Sequence, residues 1–473
     1  MIPLLLLTLL AIVPWPGEAQ AEATRAGPRP PLRHQGRWLV DDADRVVLLH
    51  GVNEVAKSAP FYPAAFGFGT DDAVFLREQG FNVVRLGVDF RGVMPAPGEI
   101  DRAYIEALAV TVRQLARQRI FVLLDFHQDG FSPKYLGNGL PDWMAMDDGL
   151  RNPPIPFPLY YVLNPAMQRA FESFWANRPL PDGVPVQEYF VQGLRAVVER
   201  FRLERYVIGY ELMNEPWPGA DWIGCITGCP DLEQELLAPF YARCTRAVRQ
   251  LTRHQQVYVE PFVLFNFGRS PTSLPGIDSG NALAAHSYAL SPEDEQRVLD
   301  NAVAAAERDR APLIVTEFGA SIDSTLLARH TARFDGAIVP WMMWAYNESI
   351  IRDSSQPAGL DNVRSLDALA ALVRPYPMAV TGTPTVIAFD PVTGVFDLAY
   401  STTTPNGGRS RHQTSVVFVP ALHYPDGYRV EVDGGRVISR ACADRLLVQA
   451  HPSAEVVTVR VTRGGSCDGA PQP

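Results

Sequence analysis

Short apolar runs alternate with longer amphipathic segments between about residue 45 and residue 345 of the 473-residue chain. The short runs have the length of buried strands. The longer segments have apolar residues at helical spacing, as in residues 105–117, where Leu108, Val112 and Leu115 recur. Runs of strand character occur at residues 46–52, 81–88, 120–126, 207–212, 257–261, 282–287, 313–318 and 338–344. Eight such units predict an α/β fold, a (β/α)8 TIM barrel whose functional face lies at the carboxyl ends of its strands.

The pattern changes after about residue 374, where Pro375, Pro377 and Pro384 interrupt it. Short stretches of alternating apolar and polar residues follow, at residues 386–389, 414–419, 428–432 and 456–461, with turn sequences between them. This pattern predicts a C-terminal all-β sandwich domain over residues 375–473, after a barrel domain over residues 24–374. Residues 464–473 have the composition of an irregular tail.

An apolar run at residues 2–13 opens the chain, and small residues follow it at Ala19, Ala21 and Ala23. The run is too short to span a bilayer but has the length of the apolar core of a signal peptide, with cleavage near Ala21 or Ala23. We therefore expect residues 1–23 to be a signal peptide and the protein to be secreted. No later stretch is apolar enough to predict a transmembrane helix.

The composition is that of a globular protein, with 47% hydrophobic and 20% charged residues. The formal net charge is −10, so the protein lacks the overall basic character that is typical of nucleic-acid binding. The same charge gives the protein no general attraction to anionic membranes. Nucleic acid is therefore not expected as a partner, and any contact with lipid should be apolar. No feature of the sequence indicates an oligomeric state.

Five cysteines form two groups, Cys225, Cys229 and Cys244 in one and Cys442 and Cys467 in the other. In an exported protein the second group is expected to form a disulfide, and two residues of the first group can pair. The spacing of Cys225 and Cys229 would also suit a metal, but no nearby Cys or His completes a tetrahedral set. We expect neither a metal ion nor a cofactor.

Two carboxylates follow apolar strands. Glu215 lies in VIGYELMNEPW, directly before Pro216, which cannot continue a central strand, and Glu317 ends the apolar run of LIVTEFG. A charge at the end of an apolar run is costly unless it is paired or used. Either residue alone could form a structural ion pair at the rim. Together, on two strands of one barrel, they match the acid and the second carboxylate that glycoside hydrolysis requires.

Six motifs in the same order resemble glycoside hydrolase family 5, and within it the endoglycoceramidase branch. The likeness spans about residues 48–347, at the ends of strands two, three, four, six, seven and eight. The motifs contain Arg85 in VVRLGV, His127 in LLDFHQD, Asn214 and Glu215 in MNEPW, His286 and Tyr288 in AAHSYAL, Glu317 in VTEFG, and Trp344 in WMMWAYNE.

The resemblance implies that Glu215 is the general acid/base and Glu317 the nucleophile of a retaining mechanism with a covalent glycosyl-enzyme intermediate. Asn214 would then bind the sugar 2-hydroxyl. Arg85 and Tyr288 would hold Glu317 ionised and oriented. Because Glu215 must keep a proton near neutral pH, we expect its surroundings and Glu317 to raise its pKa.

The resemblance also implies sugar-binding roles for Lys57, His127 and Asp129, a supporting role for His286, and a stacking floor for the sugar at Trp344. The alternatives are structural: a lone buried histidine is more often part of the core, and a tryptophan is a common large core residue.

The loops of the expected functional face carry many apolar residues. They are Phe61, Tyr62, Phe66, Phe68, Phe131, Tyr135, Leu136, Trp143, Met144, Met146, residues 153–163, Trp217, Trp222, Ile223, residues 262–265 and Phe267. Aliphatic runs beside a sugar site predict a lipid leaving group, the ceramide of a glycosphingolipid, and apolar contact with a micelle or membrane surface. Phe265 and Trp143 are the expected lipid contacts. The alternative is that these loops only pack on one another.

Two other classes of protein remain as alternatives. One is a secreted endo-β-glucanase or mannanase that acts on polysaccharide with the same catalytic residues. The other is a noncatalytic carbohydrate- or membrane-binding protein, for which the pair of Glu215 and Glu317 would be unnecessary. The preferred glycan, a need for detergent or an activator, and the role of the β domain stay open at this point.

Overall fold

The computed structural model describes residues 26–274, 281–465 and residue 467. The predicted signal peptide, residues 1–23, lies outside the described residues, as does most of the predicted tail. Within the described ranges, no helix combines the length and the hydropathy needed to cross a membrane.

Three short strands open the described chain, β1 (Arg33–Gln35), β2 (Trp38–Val40) and β3 (Val46–Val47). The barrel follows as eight parallel strands: β4 (His50–Glu54), β5 (Val83–Val88), β6 (Phe121–Phe126), β7 (Val207–Glu211), β8 (Gln256–Val259), β9 (Asn281–Ser287), β10 (Leu313–Phe318) and β11 (Trp341–Met343). Strand β11 pairs with β4, so the ring is closed. The predicted TIM barrel is confirmed.

Helices connect the barrel strands. The α-helices are Thr70–Glu78, Phe90–Val93, Arg102–Arg117, Tyr160–Leu163, Pro165–Trp175, Val186–Phe201, Pro230–Leu232, Ala238–Arg249, Pro292–Asp309, Ser324–Ala337 and Leu366–Leu372. Short 3-10 or π segments occur at Pro63–Phe66, Pro133–Tyr135, Asp142–Met144, Ala220–Thr227, Glu233–Leu237, Val263–Phe267, Tyr346–Ile350 and Leu360–Asn362. The helix at residues 102–117 shows the local logic: Asp101 caps its first turn, and Leu108, Val112 and Leu115 are buried.

The run predicted as one strand at residues 46–52 is two strands in the structure. Strand β3 pairs antiparallel with β2 and with the carboxyl-terminal domain, whereas β4 turns into the barrel. Both pieces are buried, so apolar periodicity alone could not locate the break between them.

The amino-terminal hairpin closes the bottom of the barrel. Leu32 and Leu39 pack with residues of the lower barrel interior, among them Val83, Phe121 and Ile208. The opposite end, where the strands finish, is therefore the open end of the barrel.

The carboxyl-terminal domain contains β12 (Tyr376–Val380), β13 (Thr383–Asp390), β14 (Val395–Ser401), β15 (Thr414–Phe418), β16 (Tyr428–Asp433), β17 (Gly435–Val437), β18 (Arg445–Ala450) and β19 (Val456–Arg463). Together with β1 to β3, these strands form two antiparallel sheets, with the orders β1-β2-β3-β12-β15-β18-β17 and β13-β14-β19-β16. The predicted all-β domain is confirmed. Strands β1 to β3 fall within the residues 24–374 predicted for the barrel domain, yet they extend a sheet of the second domain, because the free edge of β12 accepts β3.

A packed interface joins the barrel to the β domain. The His50 ring lies between those of Trp341 and Tyr376, at centroid distances of 4.3 Å and 3.7 Å. The Tyr376 hydroxyl donates to the Gly80 carbonyl at 2.7 Å, and Arg445 donates to the Arg77 carbonyl at 2.9 Å. Aromatic stacking and satisfied polar groups make this a continuous contact.

Two disulfides are present. Cys442 pairs with Cys467, as expected, and Cys225 pairs with Cys229 in the loop after β7, while Cys244 is buried with a free thiol. The Cys442–Cys467 disulfide links residue 467 of the predicted tail to the β domain, so this part of the tail is anchored.

Candidate active site

Nine of the ten predicted site residues lie at or just beyond the carboxyl ends of the barrel strands, and Arg85 lies in the middle of β5. Strands β5, β9 and β10 carry Arg85, His286 and Glu317, and the segments after β4, β6, β7, β9 and β11 carry Lys57, His127, Asp129, Asn214, Glu215, Tyr288 and Trp344. The contacts described below bring all ten together.

Arg85 is fully buried at the centre of the site. Its guanidinium donates to both carboxylate oxygens of Glu211, at 2.7 Å and 3.1 Å, and to Oε1 of Glu317 at 2.5 Å. It also donates to Oδ1 of Asn214 at 2.7 Å and forms an ion pair with Asp125 at 3.1 Å. A buried guanidinium with several carboxylate partners fixes their positions and compensates their charge.

Both carboxylate oxygens of Glu317 are held. Arg85 contacts Oε1, and the Tyr288 hydroxyl donates to Oε2 at 2.9 Å. These are the two partners expected from the sequence. Burial raises the pKa of Glu317 above its ordinary value, and Arg85 limits this rise.

Glu215 lies after β7 with a φ angle of +42°, in the left-handed region that a non-glycine residue rarely adopts. Its Oε1 accepts from Nδ2 of Asn266 at 2.7 Å and lies 2.9 Å from Nδ1 of His286. Burial, followed by the negative charge of Asp129, raises the pKa of Glu215 to about 7. The expected rise in the pKa of Glu215 is present; Asp129 contributes to it, and Glu215 and Glu317 also repel each other.

The two carboxyl groups are close to each other. One carboxylate oxygen of Glu215, one of Glu317 and a ring nitrogen of His286 all lie within 4.8 Å of one another. Retaining glycosidases place their carboxyl groups about 5 Å apart, and inverting enzymes leave a gap of roughly 6.5–9.5 Å for a water molecule. The observed spacing leaves no room for that water.

Asn214 is already engaged on both sides of its amide. Oδ1 accepts from Arg85, and Nδ2 donates to the Gln128 carbonyl at 2.9 Å. These bonds orient the side chain and leave one Nδ2 hydrogen for a further acceptor, such as the sugar 2-hydroxyl expected from the sequence.

A second charged group lies beside the carboxylates. Nδ1 of His127 lies 2.8 Å from Asp125, and Nζ of Lys57 donates to Asp129 at 2.8 Å. Burial disfavours a charged imidazole, but Asp125 and Asp129 outweigh it and raise the pKa of His127 to about 9. Lys57 and His127 likewise outweigh burial and hold the pKa of Asp129 well below its ordinary value. The group therefore presents alternating fixed charges at neutral pH.

The Trp344 indole forms one wall of this charged group. Its ring stacks on His127 at a centroid distance of 5.1 Å, and Nζ of Lys57 lies 4.4 Å from its centroid. Its Nε1 donates to Glu348 at 2.8 Å. Trp344 is thus held in place by polar partners as well as by packing.

Four functional neighbours were not singled out from the sequence: Glu211, Glu260, Asn266 and Gln128. Glu211 ends β7 inside an apolar run, and Asn266 lies in an apolar loop, so neither has a distinct sequence signal. Glu260 precedes Pro261 directly after β8, which is the strand-end pattern that identified Glu215.

Among the described residues, two sets of ligand atoms are close enough to hold a metal ion: Glu211, Glu260 and His286, and Glu215, His286 and Glu317. Arg85 already donates to Glu211, Glu260 and Glu317. Its guanidinium supplies the positive charge that a metal ion would supply at this position.

The apolar loops divide into a buried and an exposed set. The two expected lipid contacts pack inward instead: Phe265 is only 1% exposed and belongs to the hydrophobic core, and the half-buried Trp143 packs against that core and against Tyr189. Phe68, Phe131, Tyr135, Met144, Trp217 and Phe262 are buried as well. The exposed set comprises Phe66, Leu136, Phe157, Leu159, Leu163, Ile223, Ile226 and Phe267.

The sequence family follows from comparison with known proteins. The chain matches the family described as cellulase (glycosyl hydrolase family 5) over residues 52–349, and the glycoside hydrolase family 5 C-terminal domain over residues 374–461. The chain therefore belongs to glycoside hydrolase family 5 and is a glycoside hydrolase of the retaining type. The resemblance noted in the motifs is confirmed.

Several similar proteins are endoglycoceramidases. Endoglycoceramidase I of Rhodococcus hoagii is 35% identical over 95% of this chain and 91% of the relative. The endoglycoceramidase of Hydra vulgaris is 29% identical over 84% and 81% of the two chains. Endo-glycoceramidase II from Rhodococcus sp. is similar in structure, with a TM-score of 0.73 and 27% identity over 90% of this chain and 99% of that chain. Its ganglioside GM3 complex gives a TM-score of 0.72 at 28% identity, with the same coverage of both chains.

Proposed function

We propose that this enzyme is a secreted endoglycoceramidase, which cleaves the bond between the intact glycan and the ceramide of a glycosphingolipid. The observation that carries the proposal is the exposed apolar rim at Phe157, Leu159 and Leu163, which ring contacts through Tyr161 and Trp217 connect to the segment that carries Glu215.

Glu317 acts as the nucleophile. Arg85 and Tyr288 hold its two oxygens, so the carboxylate is oriented before the substrate arrives. It attacks the anomeric carbon, and the glycosyl–oxygen bond to the ceramide breaks. Glu215 transfers its proton to the departing oxygen in the same step, so the ceramide leaves as a neutral alcohol.

Glu215 then changes role. Once Glu317 is esterified, its negative charge is gone, and the pKa of Glu215 falls relative to that of the free enzyme. The ionised Glu215 removes a proton from a water molecule that attacks the same carbon. The glycan is released with its anomeric configuration retained.

Lys57, His127 and Asp129 provide the polar contacts for the glycan. Asp129 is ionised, whereas Lys57 and His127 are cationic, so the group offers both donors and acceptors to sugar hydroxyls. Trp344 lies beside the same residues, stacked on His127 and 4.4 Å from Nζ of Lys57, and we expect its indole to be the apolar group on which the C–H face of a pyranose stacks.

An aromatic path leads away from Glu215 towards the surface. Trp217, two residues beyond Glu215, lies 5.0 Å from the Tyr161 ring, and Tyr161 lies 6.4 Å from Phe157. Phe157 is exposed at the rim, as is Ile223, which precedes the Cys225–Cys229 disulfide in the loop after β7. Because a general acid lies on the leaving-group side of the bond, this path supports a lipid leaving group and apolar contact with the micelle or membrane that carries it.

Similar proteins support the same substrate class: those of Rhodococcus hoagii and Hydra vulgaris are endoglycoceramidases, and endo-glycoceramidase II from Rhodococcus sp. was solved as a ganglioside GM3 complex. The competing proposal is an endo-acting polysaccharide hydrolase, which the cellulase match of the barrel favours. The two proposals share all catalytic residues and differ only in the leaving group.

Product analysis separates them. The purified enzyme is incubated with lactosylceramide, ganglioside GM3, carboxymethyl cellulose and mannan, and products are identified by mass spectrometry. We expect intact glycan and ceramide from the glycolipids and no shortening of the polymers. Stepwise monosaccharide release, or polymer cleavage without glycolipid cleavage, would contradict the proposal.

Export is part of the proposal. The apolar leader at residues 2–13 and the two disulfides support an oxidising destination outside the cytosol. Amino-terminal sequencing of protein recovered from the medium of producing cells should begin near residue 22 or residue 24. Retention in the cells with Met1 intact would contradict export.

A further inference from the structure

Glu260 is a buried carboxyl group without a role in the mechanism described above. It directly follows β8 and is 1% exposed. The Tyr241 hydroxyl donates to its backbone carbonyl at 2.8 Å, so the segment is anchored. A carboxyl group so deeply buried requires a charge partner or a proton.

One oxygen of Glu260 holds the backbone of the acid/base. Oε2 accepts the backbone N–H of Glu215 at 3.1 Å. Glu215 occupies the left-handed region, with φ +42°, a conformation that persists only when surrounding contacts fix it. The Glu260 carboxyl is one of those contacts.

Most of the other polar groups next to the Glu260 carboxyl group are hydrogen-bond acceptors. One oxygen of its carboxyl group lies within 4.8 Å of one oxygen of Glu211, and the bidentate contact with Arg85 outweighs burial and lowers the pKa of Glu211. Its Oε1 also lies 3.4 Å from Nε2 of His286, an atom without a hydrogen bond in the described part of the chain.

The protonation of the His286 ring determines whether its Nε2 is a donor or an acceptor towards Glu260. Burial lowers the pKa of His286 to about 4, so the ring is neutral at neutral pH and carries one N–H. Nδ1 and the Asn266 amide both approach Oε1 of Glu215. We assign the N–H to Nδ1, where it donates to Oε1 of Glu215; Oε2 of Glu215 then carries the catalytic proton, and Nε2 is an acceptor directed at Glu260.

An ionised Glu260 would therefore place its lone pairs against those of Glu211 and of Nε2. Arg85 is the only cation beside it among the described residues, at a long 3.4 Å, and it is already shared with Glu211 and Glu317. Burial and the negative charge of Glu211 raise the pKa of Glu260 well above its ordinary range, in agreement with the geometry.

We propose that Glu260 is a positioning residue for Glu215: it stays a neutral carboxylic acid, shares its proton with Glu211, and fixes the backbone of Glu215 through Oε2. The inference rests on the proposed acid/base role of Glu215. A neutral anchor suits that role, because a fixed negative charge at this point would oppose the ionisation of Glu215 that the second step requires.

The groups that face Glu260 come from five elements. They are Arg85 on β5, Glu211 on β7, Glu215 after β7, Tyr241 on the helix Ala238–Arg249, and His286 on β9. A change of charge at Glu260 acts on all of them, so variants that differ in charge and in shape are needed.

Three variants of the full chain provide the test. Glu260→Gln keeps the shape and a neutral charge with one donor and one acceptor, and Glu260→Leu removes both. Glu233→Gln is the matched control, because Glu233 is also buried and hydrogen-bonded, to Thr272 and Ser273, outside the active site. Each is assayed with two aryl glycosides of one sugar, a dinitrophenyl glycoside that needs no acid and a methylumbelliferyl glycoside that does.

We expect Glu260→Leu to lower kcat/KM for the methylumbelliferyl glycoside by at least about tenfold, because acid catalysis contributes about 10²–10⁴-fold. The dinitrophenyl glycoside should be affected by no more than about threefold, since its departure needs no proton. In Glu260→Gln, kcat/KM for both aryl glycosides should stay close to the wild-type values. The alkaline limb of its kcat/KM profile should lie at the same pH as in wild type.

The opposite charge state gives the opposite result. If Glu260 is ionised in the enzyme, Glu260→Gln removes a negative charge next to Glu215, and the alkaline limb moves to lower pH by about one unit or more. That shift, or equal losses on both aryl glycosides in Glu260→Leu, overturns the proposal. If Glu260→Leu does not fold, the pH profile of Glu260→Gln decides alone.

Glu215→Ala separates this inference from the proposed function. If Glu215→Ala loses only the methylumbelliferyl glycoside and azide accelerates the dinitrophenyl reaction, Glu215 is the acid/base, and a null effect in Glu260→Leu then refutes only the role of Glu260. If Glu215→Ala loses neither activity selectively, the assignment of Glu215 fails and the inference fails with it.

Discussion

Phe157→Ser removes an aromatic ring from the rim of the barrel and leaves the core intact, because Phe157 is 64% exposed. An aromatic side chain has roughly 200 Å² of surface, so about 130 Å² of Phe157 is available for lipid to cover. At about 25 cal/mol per Å², complete coverage contributes about 3 kcal/mol, and half coverage about 1.5 kcal/mol. We therefore expect kcat/KM for a micellar glycosphingolipid to fall by about tenfold to a hundredfold.

The assay compares two substrates and two variants. The fall should be absent with a small water-soluble aryl glycoside, because the ring is remote from the carboxylates and acts only on the lipid. Leu203→Ser is the matched control: Leu203 is 77% exposed but lies between the helix Val186–Phe201 and β7, at the opposite end of the barrel. It should leave both activities unchanged.

Three results would refute the reasoning. Equal losses on both substrates in Phe157→Ser would indicate a structural role for the ring. An unchanged rate on the glycolipid would show that lipid does not contact this part of the rim. A comparable loss in Leu203→Ser would indicate a nonspecific effect of surface hydrophobicity on micelle binding.

Three further predictions concern the catalytic groups and the core. Glu317→Gln should abolish turnover and leave the thermal unfolding transition unchanged. When wild-type enzyme is treated with a fluorosugar, mass spectrometry should locate the covalent label at Glu317. A label on Glu215 would reverse the assignment of the two carboxylates. Because Glu215 must be protonated to act as the acid and its pKa is about 7, kcat/KM should fall about tenfold per unit above that pH, and it should also fall in acid, where Glu317 becomes protonated; a profile flat to pH 9 would exclude the proton on Glu215. Phe265→Ala should lower the free energy of unfolding in urea by about 3–5 kcal/mol and reduce activity on both substrate types together, whereas a selective loss on glycolipid would return Phe265 to the lipid contacts.

The sequence predicts the catalytic pair because both carboxylates end apolar strands, where an unpaired charge is costly. The same reasoning applies to Glu260, which directly follows β8 and precedes Pro261, and it would have identified this residue. Glu211 is different, because it lies within an apolar run and its importance depends on Arg85, which comes from another strand. A carboxylate that acts through a distant partner leaves no local signal.

Loops are where prediction from the sequence fails. Phe157 and Phe265 are the same residue type in similarly apolar loops, yet one is exposed and the other is buried. No periodicity distinguishes them, because irregular backbone has no fixed relation between position and side-chain direction. Which apolar residues face a lipid is therefore a property of the tertiary structure alone.

The pairing of β3 with β12 affects how the chain can be synthesised and recombined. Val46 and Val380 are partners although roughly 330 residues separate them. Ribosomes add roughly 5–20 residues per second, so β12 is synthesised roughly 20–60 s after β3, and the edge of β3 stays unpaired during that time. A fragment that stops near residue 374 leaves this edge open to association with other chains. A chimaera that exchanges the carboxyl-terminal domain should therefore exchange the segment up to residue 47 as well, since one sheet is built from both ends of the gene product.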